Sequence, residues 1–263
     1  MRYRYLAIVL MFLGSHVFAE PLGMSVKQIS KDLAADVVDI KVLELHESSE
    51  DKAVEVVYTG IPLQKLLQYL YPKTWQDFDG EIYFYALDGY LSILDAGKAR
   101  QGEAYMTFAR ADGKVFTVDN RNQNEKDVPL APFYLVWDNL NNPLLRTSNA
   151  YSWPYQVYQT ELVPEAIIQK LLPPNASARV EAGFDAFRDN CLSCHNINGF
   201  GGKKYGMDVR QVIKALSREE LYEWIDKPSA INKYTSMPPL APGITGENRQ
   251  RTINSIIDYL QAI

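Results

Sequence analysis

The only two cysteines in the 263-residue chain stand three positions apart and are followed at once by a histidine, in Cys191-Leu192-Ser193-Cys194-His195. Two intervening residues let a single turn of chain present both thiols to neighbouring points on one group, and the next residue is carried beneath it. C-x-x-C-H is the attachment signature of c-type haem: the thiols add across the porphyrin vinyl groups and the adjoining imidazole ligates the iron. Cys191 and Cys194 are therefore expected to carry one covalent haem c, with His195 as the first axial ligand. The rest of the chain has to be understood as what surrounds that group.

Three other readings of the motif compete. A thioredoxin-like dithiol needs no histidine and sits near a βαβ pattern, whereas this run follows a helical segment late in the chain. A zinc site needs two further Cys or His ligands nearby, yet the other histidines, His16 and His46, lie far upstream. A disulfide across two residues closes a short loop and stabilises little.

Residues 1–19 have the layout of an export signal rather than of folded structure. Arg2 and Arg4 form a positive start, Leu6 to Leu13 an apolar run, and Val17-Phe18-Ala19 a small-residue cleavage site before Glu20. The run is short for a bilayer, so cleavage is expected rather than anchoring, with no membrane span left in the mature chain. With the haem motif, this points to the bacterial periplasm. Residues 20–174 carry 14 basic and 22 acidic side chains, while residues 175–263 carry 11 and 10. That acidity argues against nucleic acid as a partner, and the imbalance hints at electrostatically divided docking.

Between Glu20 and Leu162 the texture is that of strands with a few helices. Val54, Val56 and Tyr58 alternate before Gly60; Glu81 to Ala86, Phe133 to Trp137 and Tyr155 to Leu162 are short, apolar and β-prone. Ala104 to Arg110 and Lys114 to Val118 flank Asp112-Gly113, which predicts a tight hairpin because glycine accepts positive φ. Leu63 to Leu70, entered through Pro62, has helical spacing. These elements predict an α+β domain over 20–172. Pro173-Pro174 then excludes both helix continuation and a central strand, and a helical domain is expected over 173–263, with helices at 178–190, 209–216, 219–226 and 249–262.

Residues 175–263 resemble a class I cytochrome c, an all-α fold. Gly183 and Phe187 precede Cys191 by eight and four residues, as the family's first helix requires, and Tyr259 fits the aromatic that its last helix brings to the crossing. Tyr234-Thr235-Ser236-Met237-Pro238-Pro239 resembles the family's ligand segment, which implies Met237 as the second axial ligand, 42 residues past His195. A thioether opposite an imidazole favours ferrous iron and suits electron transfer. Met207 stands where the family has a proline whose carbonyl orients the proximal histidine; its own carbonyl can do the same. Lys203, Lys204, Arg210 and Lys214 are candidates for a basic rim, and the glycines between 199 and 206 for close backbone approach to the haem.

Residues 24–162 are similar to the molybdopterin-binding fold of sulfite-oxidase-type oxidoreductases. The resemblance rests on Tyr58-Thr59-Gly60-Ile61-Pro62-Leu63, on Ala86-Leu87-Asp88-Gly89-Tyr90 and on Ala131-Pro132-Phe133-Tyr134. That family ligates molybdenum through a cysteine, and here both cysteines are committed elsewhere, so molybdopterin is not expected. Asp88, Tyr90, Arg110, Asp112 and Trp137 are candidates to line a cleft; His46 is expected at the surface, and no catalytic residue is assigned. The expected function is a periplasmic monohaem cytochrome passing electrons between redox partners, a redox protein or oxidoreductase, with the first domain as a docking module. The competing expectation is a fused enzyme whose first domain oxidises a small substrate and delivers electrons to the haem.

Overall fold

A computed structural model describes residues 22–23, 25–49, 51–101, 103–121, 125–146, 152–241 and 243–263. The expected export signal over 1–19 lies outside the described residues. The strands are β1 Leu22–Gly23, β2 Val38–Leu43, β3 Glu55–Pro62, β4 Gly80–Ala86, β5 Leu91–Asp95, β6 Ala104–Arg110, β7 Thr117–Asn120, β8 Glu125–Pro129, β9 Tyr134–Trp137, β10 Val157–Pro164, β11 Asn196–Ile197 and β12 Phe200–Gly201. The α-helices are α1 Val26–Asp32, α2 Leu63–Leu70, α3 Ala96–Arg100, α4 Glu165–Ile168, α5 Ala178–Asn190, α6 Val209–Ile213, α7 Arg218–Asp226, α8 Pro228–Ile231 and α9 Gly246–Ala262. The chain is thus a mixed α/β body followed by a helical C-terminal segment. Among the described residues, no helix is long and apolar enough to cross a membrane.

Two four-stranded antiparallel sheets make the body, in the orders β1-β10-β4-β5 and β2-β3-β6-β9. Helix α2 begins directly after Pro62, whose fixed φ ends β3, and it buries Leu63, Leu66 and Leu67. The expected hairpin across Asp112-Gly113 does not form. The turn itself is present, with Gly113 at φ +72°, but both edges of β6 are taken by β3 and β9. The chain after the turn pairs instead with β8.

Strand β4 is buried along nearly its whole length, and the reason is that its sheet is covered on both faces. Alternation sends Ile82, Phe84, Leu94 and Leu162 into one apolar cluster, with Tyr58, Ile61, Leu63 and Trp137. The opposite face sends Tyr83, Leu91 and Val163 into a second cluster, with Phe184, Phe187, Ile253, Ile257 and Tyr259 from the helices. Leu171 belongs to that second cluster too, and its carbonyl accepts the Tyr259 hydroxyl at 3.0 Å. The body therefore serves as one wall of the helical segment's core, and Arg188 closes the seam on Glu81 at 3.2 Å.

Helices α5 and α9 cross at Gly183. A Cβ there would lie 2.0 Å from the Ser255 carbonyl oxygen, so only glycine permits this approach. The crossing brings Phe184 and Phe187 to ring-centroid distances of 5.4 and 5.6 Å from Tyr259. Helix α7 starts with a capping box, Ser217 and Glu220 each satisfying the other's backbone N–H.

Candidate functional site

The Cys191–His195 run is a turn that prolongs α5. Cys191 N–H donates to Phe187 O at 2.8 Å, and the amides of Cys194 and His195 donate to Cys191 O at 3.1 and 3.0 Å. Fully buried Leu192 pins the turn into the second cluster. Two glycines of the loop after it pack on the turn itself. A Cβ on Gly202 would lie 2.0 Å from Ser193 O, and one on Gly201 2.3 Å from His195 O.

The body clamps the same turn from the other side. Leu91 N–H donates to Ser193 O at 2.8 Å, and Lys203 N–H donates to Gly89 O at 2.7 Å. Gly89 has φ +85°, and a Cβ there would stand 2.9 Å from the backbone of Lys203. The loop joining β4 to β5 and the first residue of β5 thus hold the cysteine turn and the chain just after β12 through backbone atoms.

A cavity of about 390 Å³ opens between α5, the loop after His195, α7, the 235–237 segment and α9. Cys191, His195 and Met237 border it, and Phe187, Leu221, Trp224, Ile256 and Leu260 make its walls apolar. Cys194 is half-buried on the flank of the turn that faces Asp88 and Lys204. Met207 also borders the cavity, although its residue surface is 56% exposed. Its carbonyl accepts the Asn196 side-chain amide at 3.1 Å, and among the described residues no hydrogen bond joins it to the His195 ring.

Both cysteines are free thiols, not a disulfide. Burial pushes the Cys191 thiol up to about 12, with Cys194 adding to the effect, and burial also raises Cys194. A reactive dithiol needs the reverse shift, toward thiolate at neutral pH. Burial also holds the His195 imidazole below its usual range, so at neutral pH it is uncharged and keeps a lone pair for a ligand or metal.

Two residues that sequence reasoning missed organise this cavity. Tyr205 lies against His195 with ring centroids 5.0 Å apart and accepts the Ser236 hydroxyl at 3.4 Å, so it links the histidine to the Met237 segment. Arg249 donates to Asp226 Oδ1 at 2.5 Å, to Asp226 O at 3.0 Å and to Leu240 O at 2.9 Å, stapling the chain after Met237 between α7 and α9. A lone arginine in a helix gives no such signal in sequence, because its partners lie nine and twenty-three residues away.

Two of the four residues of the candidate basic rim are neutralised. Lys204 pairs with Asp88 at 2.9 Å and Arg210 with Asp208 at 2.8 Å, leaving Lys203 and Lys214 exposed. Nor do the five cleft candidates of the body converge. Arg110 and Asp112 bond each other, and Trp137 is fully buried with its indole N–H on Ser152 O at 3.0 Å. Asp88 and Tyr90 border a smaller cavity of about 230 Å³ together with His46.

His46 is not the surface residue expected. Its side chain is only 16% exposed and hydrogen-bonds the fully buried Glu44 at 3.0 Å. Glu44 also accepts the hydroxyls of Tyr58 at 2.7 Å and Tyr134 at 2.9 Å. Burial alone would raise this carboxyl, but the His46 and Tyr58 contacts outweigh it and hold it below the usual range.

No protein family matches the chain, and no characterised protein matches it at significant similarity.

Proposed function

We propose that this protein is a periplasmic electron carrier with one c-type haem, held by Cys191 and Cys194 and ligated by His195 and Met237. The observation that carries the reading is the convergence of Cys191, His195 and Met237 on one apolar cavity. Its volume lies in the range of cofactor sites, its walls offer hydrocarbon and aromatic surface, and the candidate iron ligands His195 and Met237 both border it. Bound there, haem would supply a one-electron Fe(III)/Fe(II) couple.

The remaining work belongs to the chain. His195 offers a neutral nitrogen, Met237 a soft sulfur that favours the reduced metal, and the apolar walls exclude water. Tyr205 fixes the relation between the two ligand-bearing loops. Arg249 and the exposed Pro238-Pro239 limit movement of the Met237 segment. In this reading the helical segment is a class I cytochrome c domain. The body is a sulfite-oxidase-type domain with no cysteine for molybdenum, and it docks a periplasmic redox protein or oxidoreductase. The acidic residues of 20–174 favour a basic partner face.

Voltammetry and optical spectroscopy on the full-length protein test this. A single reversible one-electron wave and a ferric methionine-to-iron absorption band are expected. Met237→Ala should abolish the band and lower the potential. A native protein without the band, or a band that survives in Met237→Ala, would remove Met237 from the ligand set.

A further inference from the structure

The Glu44–His46 arrangement has a chemistry that electron carriage does not use. Glu44 is surrounded by donors: both tyrosine hydroxyls, the His46 backbone N–H at 3.0 Å and the His46 ring at Nδ1. An ionised carboxylate can only accept, so Nδ1 must carry the proton. The Tyr134 hydroxyl oxygen, 3.0 Å from the same Nδ1, is consistent with that assignment. Nε2 is then the ring nitrogen that Glu44 leaves unengaged. It has no partner among the described residues, and His46 borders the 230 Å³ cavity.

A second, independent group points to a ligand. Trp153 borders the same cavity and is only 7% exposed, yet its indole N–H has no hydrogen-bond partner among the described residues. A buried donor left unpaired is costly. Two side-chain nitrogens, His46 Nε2 and Trp153 Nε1, thus border the cavity without partners, and a hydroxyl group bonds both: its oxygen accepts the indole N–H, and it gives its hydrogen to Nε2 or accepts from it according to the charge of the ring.

The walls select the rest of the molecule. Tyr90, Tyr155, Trp153 and His46 are flat rings, which suit an aromatic face. The volume exceeds the roughly 150 Å³ that holds benzene in an engineered cavity and falls below the range for drug-sized ligands. A carboxylate ligand would face the Glu44 charge behind His46, while Lys204 at the rim is already paired with Asp88.

We infer that the cavity bounded by His46, Trp153 and Tyr155 is a binding site for a small monocyclic phenol, its hydroxyl bonded to His46 Nε2 and Trp153 Nε1. The site does not depend on the haem assignment, since none of its hydrogen-bonding groups lies on the haem cavity. Its margin with the cysteine turn is made by Asp88, Tyr90 and Lys204, which border the cavity on the side facing Ser193 and Cys194.

Fluorine NMR of the full-length protein tests it with 4-fluorophenol, 4-fluorotoluene and 4-fluorobenzoate as probes. Saturable broadening of the 4-fluorophenol signal is expected, with at least about fivefold weaker binding of the other two, as the loss of a buried hydrogen bond implies. Trp153→Phe and His46→Phe should each weaken 4-fluorophenol by about the same factor, and Trp153→Phe keeps the proposal testable if His46→Phe does not fold. No saturable binding, equal binding of 4-fluorotoluene, tighter binding of 4-fluorobenzoate, or affinity unchanged in a folded variant would each overturn the assignment.

Discussion

Gly183 shows how much a missing side chain can hold. Its hydrogen faces the Ser255 backbone, and a methyl in its place would sit 2.0 Å from a carbonyl oxygen that cannot step aside. Gly183→Ala should force α5 and α9 apart and cost about 3 kcal/mol, at the upper end of overpacking effects; denaturant unfolding measures it. Glu44 offers a different test. Because its folded pKa is depressed, the stability it contributes is complete above the unfolded glutamate value of about 4.3 and is lost as pH falls through the folded value. Glu44→Gln should therefore flatten the acid limb of the stability profile. Glu44→Ala, which strands the Tyr58 and Tyr134 hydroxyls, should cost roughly 3 kcal/mol at neutral pH. An acid limb unchanged in Glu44→Gln would contradict the ionised state of this carboxylate. Gly183 and its crossing partner Tyr259 were picked out in sequence through the resemblance to a first and a last helix that cross at a small residue and an aromatic. Glu44 and His46 were not, because their tyrosine partners come from strands 14 to 90 residues away.

At the scale of elements, the cysteine turn is held by the loop joining β4 to β5 rather than by its own segment alone. Gly89→Ala meets both a positive φ and the Lys203 backbone at 2.9 Å, so it should break the Lys203–Gly89 bond and speed amide exchange at Lys203 and Leu91 by about tenfold. Gly113→Ala is the matched control, since Gly113 shares the positive φ but has open space around it. It should be mildly destabilising without altering those two amides; equal acceleration in both variants would rule the clamp out. Element positions were readable where period and punctuation agree. Pro62 and the 63, 66, 67 spacing marked α2 to the residue, and the apolar run of β4 marked a strand. The hairpin at Asp112-Gly113 failed because a turn signal is local while pairing depends on which sheet edges remain open. The opening helix α1 and the strand β8 that pairs with β7 carried no sequence signal strong enough to place them.

For the whole molecule, the apolar cluster that joins Tyr83, Leu91 and Val163 to Phe184, Ile257 and Tyr259 crosses the Pro173-Pro174 break. Body and helical segment should consequently unfold in one transition, with tryptophan fluorescence, dominated by Trp75, Trp137 and Trp153 of the body, coinciding with loss of helical circular dichroism. Two separated midpoints would contradict the shared core. The composition change at that break was plain in sequence, whereas the packing across it depends on which face of β4 turns outward. The haem proposal starts in sequence from five residues and a distant methionine; that Cys191, His195 and Met237 border one cavity required the fold. The most direct test is the intact mass of the full-length protein after export alongside a c-type haem attachment apparatus. One covalently bound haem is expected, absent when Cys191 and Cys194 are both replaced by serine. An unmodified mass for the native chain under those conditions would contradict the account.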